Sequence, residues 1–500
     1  MSRSRTPSDA IANALAANRL GVGAIVFFVM SAAAPLTVVA GVVPTGFAAT
    51  GLLGLPIAFL VVGIVLALFA VGYVAMARQL TNAGAFYAYI SRGLGRPAGV
   101  GGSWVALIAY NSLQCGAYGA FGAFGGPLVQ KYLGVELPWW VLALLMWGLV
   151  GVLGVLRVDL NGRVLAILLT LEIAIVLIFD VADLVSPGPE GVSGAALSPD
   201  ALFAGGVGAL LVIAMTGFVG FESSVVFSEE SRDPRRTVPT ATFVSIAIIA
   251  GLYALSSWAM TVAAGPGNIV EMARKDPELP FTLAAERLGG TIADIAAVLL
   301  LTSLIAASIS FHNTIARYAF ALGRERVLPR AFGTTSVRTG APKVGSIAQT
   351  VVGFVVIALY TVMGWDPLVN LFFYGGTFGG FGVLLLTTAT SLSVLLFFAR
   401  NPSGESAWRR VIAPILASAI LMVFAVLATA NFATLLNVPE THPLRWGLPI
   451  AYVVAFILGL VWALILRSSS PGVYASIGLG PQAASAQAGA APVPPAGVKL

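Results

Sequence analysis

Residues 210–227 read LLVIAMTGFVGFESSVVF, and residues 27–46 read FFVMSAAAPLTVVAGVVPTG. Both segments are apolar enough to sit in hydrocarbon, and both are interrupted near the middle. In the first, Gly217 and Gly220 flank Phe218 and Val219, with Glu222 just beyond; in the second, Pro35 falls near the centre, with Gly41 and Pro44 after it. Proline removes a backbone donor and clashes with the preceding turn, while glycine lets the chain leave helical geometry. In hydrocarbon, unpaired peptide groups cost several kcal/mol unless they are buried in protein or line a cavity. Either interruption alone is equally well explained as a kink. Two of them, in the first and sixth apolar segments, predict a five-plus-five inverted repeat with a binding site at the bilayer midplane. The N–H groups exposed at a half-helix start suit a carboxylate, and freed carbonyls suit an ammonium or a cation.

The rest of the chain agrees with a membrane setting. Of the 500 residues, 58% are apolar and 10% charged, against about 25% charged in ordinary globular domains. A soluble chain of this composition could not cover its surface with polar groups. The net charge is +6, but the basic residues are scattered singly between apolar runs, which orients helices in a membrane and does not form a nucleic-acid surface. Cys115 is the only cysteine, so an internal disulfide and a cysteine-based metal site are excluded, and its apolar setting predicts a packing role. Met1 to Arg19 is polar, unlike a cleaved signal peptide.

A span needs about 20 apolar residues to cross roughly 30 Å of hydrocarbon. Runs that meet this start near residues 22, 52, 98, 138, 163, 202, 239, 290, 345, 368, 411 and 446. The expected fold is therefore an all-α polytopic membrane protein of about twelve transmembrane helices, with both termini on one side. With the termini inside, 22 of the 27 basic residues are cytoplasmic; Lys131, Arg274, Lys275, Arg287 and Arg445 are outside. That asymmetry satisfies the positive-inside rule. The Ala- and Gly-heavy composition points to a GC-rich bacterium, hence to a bacterial inner membrane. Expected organisation is a cytoplasmic segment 1–19, a core 20–400 made of repeats at about 20–185 and 200–400, peripheral spans in 401–467, and a disordered cytoplasmic tail, 468–500. Residues 79–94 would lie at the cytoplasmic interface, and 277–288 would form a short amphipathic helix on the outer side.

Three stretches carry a family resemblance: AAAPLTVVAG at 32–41, TNAGAFYAYISRGLGRPAGVGGSWVA at 81–106, and GFVGFESSVVFSEESRDPRRTVPTA at 217–241. The last contains an E-x-x-x-P-R-R-x-V-P loop and is the most specific. From residue 18 to about 467 the chain resembles the amino acid–polyamine–organocation (APC) superfamily of permeases. The resemblance implies spans 1–5 and 6–10 as the inverted repeats. It implies that the α-carboxylate of an amino acid meets amides near Ala33, Ala34, Leu36 and Thr37, and that its α-amino group meets carbonyls near Thr216, Gly217 and Val219. Phe218 and Phe221 would act as lid or wall. The commoner Gly-Ser-Gly form of the span 1 motif is replaced here by Ala-Ala-Pro-Leu-Thr, and Pro35 offers no N–H.

Glu172 lies nine residues beyond Arg163, about 13 Å along a helix and so near the midplane. A carboxylate at that depth is costly and by default functional. Relatives can hold a lysine there in place of a sodium ion; a glutamate can instead take up a proton. Proton coupling is expected, with a structural hydrogen-bonded carboxyl and a sodium ligand as the alternatives. Glu222 either gates access or hydrogen-bonds the unwound backbone. Asn111 and Gln114 share a helical face and either line the side-chain pocket or bond between helices. Ser308, Ser310, His312 and Asn313 form a polar cluster in span 8, best read as packing. Asp180 and Asp183 are expected to be solvated, and the basic stretch from Arg317 to Lys343 to anchor to anionic lipid. No phosphate loop of the G-x-x-x-x-G-K-[ST] kind is present, and no enzyme signature, cofactor or metal site is expected. The leading expectation is a secondary transporter for amino acids. A polyamine, organic cation or small carboxylate permease, or an amino-acid sensor without transport, remain open. Nothing in the sequence addresses the oligomeric state.

Overall fold

A computed structural model describes residues 15–483, apart from 16, 157, 204–205 and 402–403 and the side chains of 158–164. The segments 1–14 and 484–500, with Arg3, Arg5, Arg157, Lys499 and the Arg163 side chain, lie outside the described residues. Among the described residues, ten helices are long and apolar enough to cross a bilayer. The 38-residue helix Arg96–Leu133 and the shorter apolar helix Trp139–Gly154 take the places expected for spans 3 and 4. In chain order the others are span 1 (Val22–Thr50), span 2 (Leu55–Ala77), span 5 (Val158–Val185), span 6 (Val207–Val225) and span 7 (Pro234–Ala264). Span 8 (Gly290–Arg324), span 9 (Lys343–Met363), span 10 (Pro367–Arg400), span 11 (Trp408–Ala430) and span 12 (Leu444–Ser469) follow.

The two halves match in more than their broken helices. A short helix, Phe86–Gly93, sits between spans 2 and 3, and another, Leu279–Leu288, sits between spans 7 and 8. Each precedes the longest helix of its half, span 3 or span 8. This is the arrangement of an inverted repeat, in which equivalent short helices fall on opposite faces of the membrane. Phe86, Tyr87, Tyr89 and Ile90 of Phe86–Gly93 are all buried against the rest of the protein.

The outer surface is greasy where lipid would be. Span 12 exposes Ile450, Val453, Ile457, Leu458 and Val461 on one side, a helical spacing. On the other side it packs on span 3, where Gly459 approaches Gly101 and Trp104.

Both ends of the described chain lie on one face, here called the terminal face. Leu20 pairs with Ser231, just before span 7. At the other end, residues expected to be disordered from Ser468 onward are ordered as far as Ala483. A helix over Pro471–Ser476 leads to a turn whose Gly478 and Gly480 amides donate to Glu325, beyond span 8, at 2.6 and 2.7 Å. Tyr87 and Asn82 donate to the same carboxylate. One buried acceptor thus organises the tail, which composition alone could not show.

Candidate functional site

The first break forms at Ala34. The N–H of Ala34 closes the last turn of Val22–Ala33 on Met30 O at 3.0 Å, and Ala34 then adopts φ +48°. Pro35 follows, cannot donate, and starts the second half-helix. In span 6 the helix Val207–Thr216 gives way to tight turns through Gly217, Phe218 and Val219, and Gly220 turns the chain at φ +108°. The breaks touch each other. A Cβ on Gly220 would meet the Ala32 Cβ at 2.5 Å, so only glycine fits.

Between the breaks lies a cavity of about 160 Å³. Ala32, Ala33, Ala34, Thr37 and Val38 of span 1 and Thr216 and Val219 of span 6 form one wall. Leu113 and Ala117 of span 3, Leu304, Ala307 and Phe311 of span 8, and Phe372, Phe373 and Gly376 of span 10 form the other. A vestibule of about 730 Å³ adjoins it away from the terminal face, sharing Thr37, Gly41, Thr45, Phe372 and Phe373 and reaching Arg274, Asp276 and Glu278.

Toward the terminal face the way is closed. Phe28 stacks on Phe227 at 4.4 Å between ring centroids, and the Arg317 guanidinium lies over Phe227. Arg317 also donates to both carboxylate oxygens of Glu230, at 2.5 and 3.0 Å, with each side chain only 1% exposed. Arg324 forms a second two-pronged pair with Glu229 at 2.8 Å. These two arginines are therefore not lipid anchors: both turn inward and join span 8 to the loop after span 6. Burial pushes Glu229 up, but Arg324 and the Ala83 amide outweigh it and hold the carboxyl below its ordinary value.

Of the residues singled out in the sequence, Ala33, Ala34, Thr37, Thr216 and Val219 line the cavity. Leu36 does not: it is buried, and its N–H donates to Glu172 Oε1 at 2.7 Å. Ser303 of span 8 donates to the same oxygen at 2.6 Å and bonds Thr37 Oγ1 at 3.1 Å. Glu172 is fully buried, and among the described residues its Oε2 has no hydrogen-bond partner. It thus ties spans 1, 5 and 8 beside the break. Glu222 sits behind the other break, where Oε2 accepts from the Gly220 N–H at 3.0 Å and Oε1 from the Tyr110 hydroxyl at 2.6 Å. Of its two expected roles, bonding the unwound backbone is the one this geometry displays.

Other assignments move away from the cavity. Gly217 packs toward Phe59 and Val38. Phe218 lies among Phe59 and Tyr253, and Phe221 against Phe69, all buried. The tight turns of span 6 aim both rings at spans 2 and 7, so the cavity aromatics are instead Phe311, Phe372 and Phe373. Gln114 turns to Tyr118, His312 and Gln349, a buried network that also includes Ser346. Asn111 bonds Leu107 O and borders a separate groove between spans 3, 9, 10 and 12. Asp180 and Asp183 are buried, not solvated: Ser256 donates to the first, and Arg287 pairs with the second at 3.5 Å. Sequence reasoning missed Ser303, Tyr110 and Tyr253, whose hydroxyl donates to Ala33 O at 3.0 Å. Single hydroxyls in apolar spans carry no local signal.

Fold and cavity together define an all-helical, multi-pass membrane protein with paired discontinuous helices beside a cavity. The chain belongs to the amino acid permease family, whose profile matches residues 20–464. It is 27% identical over 256 residues to a histidine permease of Lactococcus lactis subsp. cremoris, covering 46% of this chain and 50% of that one. It is 28% identical over 194 residues to cationic amino acid transporter 4 of Homo sapiens, covering 38% and 28%. With an uncharacterized transporter of Mycobacterium bovis it shares 30% identity over 178 residues, covering 36% and 37%. The chain thus spans half or less of the length of these relatives.

Proposed function

We propose that this chain is a secondary active transporter that moves amino acids across a bacterial plasma membrane by alternating access, with the terminal face cytoplasmic. The observation that carries the reading is the cavity between the two breaks, adjoining a vestibule on one side and closed by ion pairs on the other. Helix ends meeting at one point supply partial positive and partial negative charge without any ionised side chain, which suits a zwitterion. The relatives are named for histidine and for cationic amino acids; an α-amino acid is what those cargoes have in common. The expected carboxylate contact narrows toward the Thr37 amide, since the Ala34 N–H is engaged by Met30 O, Pro35 has none, and the Leu36 N–H is engaged by Glu172.

Alternating access requires the Arg317–Glu230 and Arg324–Glu229 pairs to part as the vestibule closes. Both join span 8 to the loop after span 6, so movement of spans 1 and 6 against span 8 would break them. Glu172 bridges span 1 to span 8 through Leu36 and Ser303. Taking up or releasing a proton there changes the charge beside the break, and this is the proposed coupling step. Purified protein in liposomes should accumulate radiolabelled amino acid when an inward proton gradient is imposed. Glu172→Gln should lose the gradient dependence and keep exchange. Control of uptake by sodium, at constant pH, would overturn the proton assignment; absence of any amino acid uptake or exchange would overturn the transport reading.

A further inference from the structure

We infer that the cargo carries no charge on its side chain: the site selects small, neutral, aliphatic amino acids. This rests on the transport reading above and narrows it. Among the described residues, the only polar side chains in the cavity wall are the hydroxyls of Thr37, Thr45, Thr216 and Thr377. Three of these are already turned to backbone carbonyls: Thr45 to Gly41, Thr216 to Ile213, and Thr377 to Leu435 at 3.4 Å. Thr37 is bonded to Ser303. Among the described residues, no acidic or basic side chain lines the cavity.

The nearest carboxylates lie outside the wall. Glu172 faces Leu36 and Ser303 from outside the wall, and Glu222 is capped by Tyr110 and the Gly220 amide. Confined to this cavity, a lysine or arginine side chain would meet no countercharge and a glutamate side chain no cation; Arg274, Asp276 and Glu278 line the adjoining vestibule instead. Burying an unpaired charge is strongly unfavourable. The rings of Phe311, Phe372 and Phe373 offer a cation only a weaker, quadrupolar attraction. The α-amino and α-carboxylate groups escape this penalty because the helix ends at the two breaks answer them.

Size points the same way. An engineered protein cavity of about 150 Å³ admits benzene, and this one is about 160 Å³. The wall opposite the breaks includes small residues, Ala117, Ala307 and Gly376, beside Leu113, Leu304 and the three phenylalanines. Space of this shape fits the side chains of alanine, valine or leucine.

The test is a competition panel in proteoliposomes, with labelled leucine inside the proton-gradient assay and each unlabelled amino acid in excess. Alanine, valine and leucine should compete, and lysine, arginine and glutamate should be weaker by about 100-fold or more. Ala117→Asp, which puts a carboxylate into the wall, should raise lysine competition by about tenfold or more relative to leucine. If wild-type protein takes up lysine, arginine or glutamate as well as it takes up leucine, the selectivity inference falls while amino acid transport stands. If no amino acid of any charge is carried or exchanged, both fall.

Discussion

A methyl group placed on Gly220 would stand 2.5 Å from the Cβ of Ala32 and 3.2 Å from the Ala33 nitrogen. The two broken spans therefore meet backbone to side chain at the wall of the cavity, with no room for a substituent between them.

Gly220→Ala should accordingly disable the protein. It combines overpacking with a left-handed conformation that L-residues resist, a cost of about 2–5 kcal/mol. Gly217→Ala is the control, since its added Cβ would meet Phe59 and Val38 at only 3.2 Å and those side chains can give. Thermal unfolding in detergent should drop markedly for the first variant and mildly for the second. Equal losses would show that the contact with Ala32 is not what demands glycine.

Arg317 and Glu230 form the more deeply buried of the two closing pairs. Removing one partner of a buried pair strands a charge, typically at about 3–5 kcal/mol. Arg317→Ala should therefore lower the unfolding temperature strongly, and the double variant Arg317→Ala/Glu230→Ala should recover part of the loss. A double variant no better than the single would mean that Arg317 acts mainly through Asn313 and Phe227, its other contacts.

The second pair makes closure of the terminal face sensitive to acid. Glu229 has a folded-state pKa below its ordinary value of 4.5, because Arg324 and the Ala83 amide outweigh the effect of burial. A depressed carboxylate contributes stability that is fully present above the ordinary value and is lost as pH falls through the lowered one. Thermal unfolding followed into the acid range should show wild type losing stability there, with Glu229→Gln flatter and lower at neutral pH. Parallel curves for the two proteins would remove Glu229 from the account.

Much of this architecture was legible in the chain, for identifiable reasons. Hydropathy marks most of the spans, and Pro35 and the Gly217/Gly220 pair mark the breaks because backbone chemistry is local. Where side chains point was not legible. The resemblance implies Phe218 and Phe221 as lid or wall, yet the tight turns of the break aim Phe218 at spans 2 and 7 and Phe221 at span 2. Arg317 and Arg324 read as surface charge because their partners, Glu230 and Glu229, lie 87 and 95 residues away. Asp180 and Asp183 failed the same way, their partners being Ser256 and Arg287.

The tail offers a test of a different kind. Glu325 accepts from Gly478, Gly480, Tyr87 and Asn82. A chain ending after Ser469 would lose the two amides, each hydrogen bond to a charged group being worth about 1.5–3 kcal/mol. The truncated protein should unfold at a lower temperature while keeping its uptake, since neither glycine lies near the cavity. Adding Glu325→Ala to the truncation should cost less than it does in the full chain, because half the donors are already gone. Full additivity would deny that the tail acts through this carboxylate.

Ser303 bears most directly on the proposed coupling, because its hydroxyl joins Glu172 to Thr37, a residue of the cavity wall. Hydrogen bonds to a carboxylate favour one of its two charge states. Ser303→Ala removes such a bond without touching Glu172, whereas Ser303→Thr retains the hydroxyl. If Glu172 exchanges a proton during transport, the alanine variant should displace the pH profile of uptake, and the threonine variant should restore it. A packing role predicts something else: a drop of similar size at every pH, with the profile unmoved. Ser303→Ala thus separates the two readings through the shape of a curve and not its height, which keeps the result interpretable even when expression is poor.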